Sequence, residues 1–131
     1  MDHSYKPPGY NSVSPYLIVE GAARLIDLLK GIFDAREVRR FDNPDGSVMH
    51  AEVQIDDSVI MLADASSTYP ANQLLLHVYV PDAVATFRKA VALGCPVDQE
   101  PQQKEGDPDV RGSFLDFAGN VWAVGTQKTE Q

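Results

Sequence analysis

The residues of this chain that could do chemistry are two strand histidines and a glutamate. His50 and Glu52 are two residues apart in Val48–Ile55, whose predicted apolar face consists of Met49, Ala51, Val53 and Ile55. Because successive strand side chains point to opposite faces, His50 and Glu52 share one face. His77 shares a face with Tyr79 in a later strand. Imidazole and carboxylate groups can bind a divalent ion, and they can also exchange protons with a substrate.

Each of these residues also has a structural interpretation. His77 is flanked by apolar residues, as a hydrogen-bonded core histidine would be. His50 and Glu52 also fit the solvated face of a half-buried strand. The phenol rings of Tyr16 and Tyr79, on the corresponding strand faces, could stack on a ligand. The candidate ligand-binding set is therefore Tyr16, His50, Glu52, His77 and Tyr79.

Other catalytic motifs do not occur in the sequence. It contains no G-x-S-x-G, no phosphate-binding glycine-rich loop and no H-E-x-x-H. The one cysteine, Cys95, follows Gly94 at a predicted helix end, which is typical of a small core residue, and it excludes an intramolecular disulfide. These observations leave the strand histidines and Glu52 as the candidates.

The charge balance excludes some partners. The chain has 131 residues with 11 Lys and Arg against 19 Asp and Glu, a net charge of −8. A nucleic-acid partner is not expected because phosphate binding needs a basic face, and a cationic ligand is favoured over an anionic one. The apolar runs are too short for a membrane span, and the N-terminus lacks a signal-peptide pattern, so we expect a cytoplasmic protein.

The elements that position these residues form a repeat. After an N-terminal arm over residues 1–12, which includes His3, the order β-α-β-β-β is predicted twice. The first unit has strands at 12–19, 37–41, 48–55 and 58–63 and a helix at 21–33. The second has strands at 73–80, 97–100, 110–116 and 120–125 and a helix at 83–93, capped by Asp82.

The two units also correspond in residues. Tyr16–Gly21 parallels His77–Asp82, and Asp57–Leu62 parallels Gly119–Val124. Trp122 falls on the apolar face and is predicted to lie in the core. We therefore predict an α+β fold in one domain, residues 1–131. Its tandem units, about 12–64 and 73–126, form a curved mixed sheet around a cavity.

Several segments resemble one family. They are Val80-Pro81-Asp82, Ala92-Leu93-Gly94-Cys95 and the turn Asp116–Trp122, which is similar to a family D-P-x-G-N-x-W/I turn. Pro44–Glu52 and Ser58–Asp64 resemble a bacterial glyoxalase-like branch. Over about residues 12–126 the chain thus resembles the vicinal oxygen chelate superfamily of glyoxalases, bleomycin-resistance proteins and extradiol dioxygenases. The resemblance implies the glyoxalase/bleomycin-resistance fold, which hosts several chemistries.

The resemblance also implies where a metal would bind. The metal-ligand positions of the family, usually His and Glu, correspond here to Ser14, Met61, Leu75 and Ala123. These side chains are poor ligands for a divalent ion, which needs about three protein ligands. No cofactor is therefore predicted, and a divalent metal is the disfavoured alternative.

The function expected from the resemblance is metal-independent binding of a small molecule, in the manner of a bleomycin-resistance protein that sequesters a ligand or drug. The alternative is a lyase, isomerase or dioxygenase whose rearranged metal site uses His50, Glu52 and His77. A third interpretation is a partner-binding module. Single-domain members commonly pair so that two chains line each pocket, so we expect a homodimer.

Overall fold

The computed structural model describes residues 5–128. The chain divides into two compact units, one ending at Asn72 and the other beginning at Gln73. Each unit runs β-α-β-β-β and contains one four-stranded mixed sheet. The predicted α+β class and the duplicated order of elements are confirmed. His3 and the rest of residues 1–4 lie outside the described residues.

The first unit has the first two strands of the chain at the two edges of its sheet. Its sheet has the order β1-β4-β3-β2, with β1 parallel to β4 and the other pairs antiparallel. The elements are β1 (Tyr16–Val19), α1 (Ala22–Phe33), β2 (Arg36–Asp42), β3 (Val48–Ile55) and β4 (Ser58–Asp64).

The second unit repeats this topology. Its sheet has the order β5-β8-β7-β6, again with a parallel first pair and antiparallel neighbours. The elements are β5 (Leu75–Tyr79), α2 (Ala83–Ala92), β6 (Val97–Gln102), β7 (Asp109–Leu115) and β8 (Val121–Gln127). None of the helices in the described part of the chain is long and apolar enough to span a membrane.

Helix α1 forms because its apolar residues recur on one side. Leu25, Ile26 and Leu29 are all buried. The helix has no side-chain cap of its own, since Gly21 lies at its N-terminus with a φ of 95°. Instead, Asp64 Oδ1 accepts hydrogen bonds from the backbone N–H groups of Gly21 and Ala22, each at 2.9 Å.

Helix α2 is capped as the sequence predicts. The Asp82 carboxylate accepts the N–H of Ala85 at 3.1 Å. Phe87 and Ala90 of the helix are buried, and so is Trp122 of β8, which confirms its predicted core position. Cys95 is also buried, and its burial raises the pKa of the thiol to about 11. A protonated buried thiol agrees with the core interpretation of this residue.

Each sheet has one face of buried apolar residues and a second face that we call the open face. In the first unit Leu17, Ala51 and Leu62 are neighbours on the buried face. The register places Tyr16 beside Met61, and Met61 beside Glu52, on the open face. The strands thus bring side chains from distant parts of the sequence into one row.

Two local predictions are wrong. Strand β1 begins at Tyr16 rather than at residue 12: Pro15 has no N–H to donate, and the Asn11 side chain bonds instead to Val13 and Ser14. Met49 was expected on the apolar face but is 53% exposed. The pairing shifts by one residue beside Met49, which is a β-bulge, so the alternation breaks there.

Candidate functional site

The candidate site lies on the open face of the first sheet. Tyr16, Met61, Glu52 and Arg39 form a row across the four strands of this sheet. His50 precedes Glu52 by two residues in β3 and shares its face. The structure therefore brings together three of the predicted site residues, Tyr16, His50 and Glu52, and it adds Arg39.

Glu52 is the centre of this cluster. Its side chain is buried, with the residue only 4% exposed. His50 Nε2 lies 2.7 Å from Glu52 Oε2, and the Tyr10 hydroxyl donates to Oε1. The guanidinium of Arg39 lies 3.7 Å from Oε1. The interpretation of Glu52 as a solvated surface residue is therefore wrong, because its carboxylate is held by three partners.

The surroundings of Glu52 keep it ionised. Burial disfavours the charged carboxylate and would raise its pKa. The hydrogen bonds from Tyr10 and His50, together with the positive charge of Arg39, outweigh that effect and lower the pKa of Glu52 below its usual value. At neutral pH the carboxylate is thus an acceptor of hydrogen bonds and not a donor.

The ionised carboxylate fixes the direction of the neighbouring hydrogen bonds. Neutral imidazole has one donor and one acceptor nitrogen. In neutral His50 the proton on Nε2 faces Glu52, so Nδ1 accepts from the Tyr16 hydroxyl, 2.7 Å away. Burial and the charge of Glu52 raise the pKa of Tyr16, so its hydroxyl keeps its proton. We call the chain Tyr10–Glu52–His50–Tyr16 the relay.

Nitrogen NMR tests the direction of the relay. We expect neutral His50 to carry its proton on Nε2, because that nitrogen faces the carboxylate. In Tyr16→Phe, the Nδ1 resonance should move towards the value of a nitrogen that accepts no hydrogen bond, and Tyr69→Phe should leave it in place. Long-range 15N–1H correlation spectra report both. A neutral imidazole with its proton on Nδ1 would contradict the assigned direction.

A cavity of about 450 Å³ adjoins the relay in the first unit. Its volume lies in the range usual for small-molecule sites, and its lining is mostly apolar and aromatic with a few polar groups. Tyr16 belongs both to the relay and to the lining. The lining residues are Tyr16, Ile18, Asn43, Val48, Met49, Ala63, Asp64, Ser66 and Tyr69.

Asp64 is the ionised group of this cavity. Its two carboxylate oxygens accept the backbone N–H groups of Gly21, Ala22 and Val48. Burial would raise the pKa of Asp64, but these three hydrogen bonds outweigh it and lower the pKa. The lining therefore includes a residue whose carboxylate is negatively charged at neutral pH.

The other two predicted site residues lie together in the second unit. His77 and Tyr79 are in edge-to-face contact, with ring centroids 4.7 Å apart. His77 Nε2 accepts from Arg111 Nη1 at 2.8 Å, because arginine can only donate. The Tyr79 hydroxyl donates to Asp109 Oδ2 at 2.6 Å, a hydrogen bond that raises the pKa of Tyr79.

Arg111 connects the members of this second cluster. Its guanidinium also binds the carboxylates of Asp107, at 2.8 Å, and Asp109, at 2.7 Å. Gly125 makes the arrangement possible, since a Cβ there would lie 3.0 Å from His77 Nε2. The units thus place different chemistry on their open faces: a buried carboxylate holds the first cluster and a guanidinium holds the second.

The four metal positions implied by the family resemblance do not suit a divalent ion. Met61 and Ala123 are the cross-strand partners of Tyr16 and His77. Leu75 is apolar and 74% exposed, and the Ser14 hydroxyl accepts from Asn11. Among residues 5–128, no three His, Cys, Asp or Glu side chains are grouped so that they could hold a metal ion. The donor set does not fit the family metal.

Sequence reasoning missed Tyr10, Arg39, Asp109 and Arg111. Tyr10 lies in the arm, which has no periodicity to indicate a contact with Glu52. Asn11 holds the arm in place by accepting the N–H of Val59 at 2.9 Å. Arg39 could have been noticed as a cation on the strand before Glu52, but its pairing partner depends on the bulge at Met49.

Comparison with protein families gives one match that covers most of the chain. A family model described as "Glyoxalase/Bleomycin resistance protein/Dioxygenase superfamily" matches residues 10–124. The uncharacterized Mycobacterium bovis protein Mb0911c is 30% identical in an alignment of 125 positions that covers 87% of this chain and 82% of that protein. Sequence similarity thus extends across both units.

Solved structures share the fold at low identity. TioX from Micromonospora sp. ML1 has a TM-score of 0.69 and 18% identity, covering 88% of this chain and 99% of its own. The fosfomycin resistance protein FosX from Mesorhizobium loti has a TM-score of 0.65 and 18% identity, covering 90% of this chain and 92% of its own. At these identities the likeness shows the fold and not the ligand.

Proposed function

Because this chain belongs to the glyoxalase/bleomycin resistance protein/dioxygenase superfamily, we propose that it is a metal-independent protein that binds a small molecule without transforming it. One observation carries the proposal. The first unit has a cavity of about 450 Å³ that shares Tyr16 with the relay. The family metal positions Ser14, Met61, Leu75 and Ala123, by contrast, offer no set of metal ligands.

The lining of the cavity supports binding of a compound with an apolar body. Ile18, Met49 and Ala63 supply apolar surface, and Tyr16 and Tyr69 supply aromatic rings. Apolar area gives a pocket most of its affinity, while a few polar groups orient the ligand. The fosfomycin resistance protein FosX is a neighbour in fold. The lining of the cavity is what supports the sequestration of a ligand or drug as the role of this chain.

The predicted site residues take the following roles in the proposal. Tyr16 contacts the ligand directly, and His50 and Glu52 hold the Tyr16 hydroxyl in one orientation through the relay. His77 and Tyr79 contact ligand on the open face of the second sheet, where both side chains are exposed. The affinity for a ligand that contacts Tyr16 should then change when His50 is substituted.

An enzyme is the second candidate, and the order of groups in the relay favours it. A carboxylate, an imidazole and a hydroxyl stand in sequence at Glu52, His50 and Tyr16. This is the order in which a carboxylate orients a histidine that withdraws a proton from a hydroxyl. A lyase or isomerase of this type would use His50 and Glu52 as an acid–base pair.

A thermal-shift screen of chelator-treated protein tests the proposed function. A compound that binds only the folded protein raises its stability by about 2.7 kcal/mol at a hundredfold excess over the Kd. We expect the screen to identify compounds that raise the Tm of the wild-type protein but do not raise the Tm of Tyr16→Ala. Tyr5→Ala is the matched control, because Tyr5 is exposed and does not line the cavity. Compounds that act only after a divalent ion is added would contradict metal independence.

The predicted homodimer belongs to the same proposal. Sedimentation equilibrium should give about twice the chain mass of 14.4 kDa. A monomer at all concentrations would contradict the homodimer and leave the cavity of the first unit as the site. The monomeric result would also exclude any pocket that needs a second chain.

A further inference from the structure

The Tyr16 hydroxyl presents an acceptor, and not a donor, to the cavity of the first unit. Glu52 is ionised, so neutral His50 donates to it from Nε2 and accepts from the Tyr16 hydroxyl at Nδ1. The single proton of the Tyr16 hydroxyl is therefore directed at His50. What remains on the oxygen for a ligand is a lone pair, which can only accept a hydrogen bond.

The charges of the cavity point to the same kind of ligand. Asp64 is ionised, and its carboxylate is held by three backbone N–H groups. Among the described residues that line the cavity, none is Lys, Arg or His. An anionic ligand would meet a like charge without a compensating cation, while a cationic ligand would be attracted.

The aromatic rings of the lining also favour a cationic ligand. Tyr16 is 37% exposed and Tyr69 is 64% exposed, so both rings are accessible to a bound molecule. The faces of phenol rings attract cations through their quadrupole. An ammonium group near Tyr16 could thus donate to the hydroxyl oxygen and lie close to a ring face.

From these three observations we propose that the ligand of the first unit carries a protonated amine on an apolar body and donates a hydrogen bond to Tyr16 Oη. The proposal rests on the proposed function of the same cavity and adds the chemical class of the ligand. The amine occupies the end of the cavity at Tyr16, and the apolar body packs on Ile18 and Ala63.

Two probes of the same size and opposite charge test the proposal. Benzylamine and benzoate each carry a benzene ring and one charged group, but only benzylamine can donate a hydrogen bond. In 15N–1H titrations we expect benzylamine to shift the amides of Ile18 and Ala63, with benzoate binding at least about tenfold more weakly. This comparison uses the wild-type protein, so it does not depend on the folding of a variant.

A matched pair of variants assigns the effect to the hydroxyl. Tyr16→Phe removes the acceptor and should weaken benzylamine binding by about tenfold, the usual contribution of one hydrogen bond to a charged group. Tyr69→Phe removes a phenol from the same lining and should change the affinity by less than about threefold. Equal losses in the two variants would overturn the role of Tyr16 Oη.

The outcomes separate this inference from the proposed function. If benzoate binds as tightly as benzylamine, the inference is overturned and the cavity remains a binding site. If neither probe shifts the amides of Ile18 or Ala63, the inference is also overturned, while the compound screen still tests binding. If the screen yields no ligand that depends on Tyr16, the proposed function fails and the inference fails with it.

Discussion

Asp116→Ala is expected to lower the free energy of unfolding by about 4 kcal/mol. The Asp116 side chain is buried, with the residue 3% exposed, and accepts hydrogen bonds from Ala118 N and Asn120 N. It also accepts from the Asn120 side chain and from Trp122 Nε1, each at 2.9 Å. Each donor left buried without an acceptor costs about 1 to 3 kcal/mol.

Urea denaturation at neutral pH measures this effect. Asp57→Ala is the matched control, since Asp57 is an exposed turn residue that accepts from Ser58, and it should change the stability by less than about 0.5 kcal/mol. A loss below about 1 kcal/mol in Asp116→Ala would show that water satisfies the freed donors. Asp116 would then not hold the turn that leads into β8.

Glu52→Ala is expected to lower the free energy of unfolding by about 2 to 3 kcal/mol. The variant removes a buried carboxylate and leaves Tyr10, His50 and Arg39 without their acceptor. These partners are partly exposed and can bond to water, so the loss is smaller than for a fully buried network. Glu100→Ala, at an exposed position of β6, should change the stability by less than about 0.5 kcal/mol.

The contribution of Glu52 also depends on pH. Its folded-state pKa lies below the usual value of 4.5, so the carboxylate stabilises the folded state above that pH. This stabilisation is lost as the pH falls through the folded-state pKa. The stability difference between wild type and Glu52→Gln should therefore shrink between about pH 7 and about pH 3. A difference that stays constant over this range would contradict an ionised Glu52.

The order of elements could be predicted because the periodicity of the sequence is strong. Strand β3 has the predicted bounds, Val48–Ile55, and the predicted helix at 21–33 differs from α1 by one residue. The helix signal is clear because buried leucines recur at helical spacing. Asn43–Gly46 lie between β2 and β3, in the gap that the sequence leaves between the predicted strands at 37–41 and 48–55.

The pairing of side chains across β2 and β3 could not be predicted in the same way. Asp42 pairs with Val48, and counting back from this pair without interruption would put Arg39 opposite Ala51. The bulge at Met49 shifts the register by one residue, so Arg39 pairs with Glu52 instead. A local irregularity of one residue therefore decides which cation faces the buried carboxylate.

The contact between the N-terminal arm and Glu52 also could not be predicted from the sequence. Tyr10 and Glu52 are 42 residues apart, and nothing in an aperiodic segment indicates its partner. The sequence predicts that His50 and Glu52 share a sheet face, because alternation within one strand determines it. It places Tyr16 with them by assuming that the apolar face of each strand packs against the helix. Their hydrogen bonds depend on register and on side-chain conformation, which only the structure supplies.

A metal-independent binding protein should return its ligand unchanged. The direct measurement incubates chelator-treated protein with an excess of a compound from the screen, and then quantifies bound and free compound by mass spectrometry. We predict about one equivalent bound for each first-unit cavity, all of the compound recovered at its original mass, and no change in affinity with added divalent ions. Product formed in excess over protein, or binding that requires a divalent ion, would contradict the proposed function.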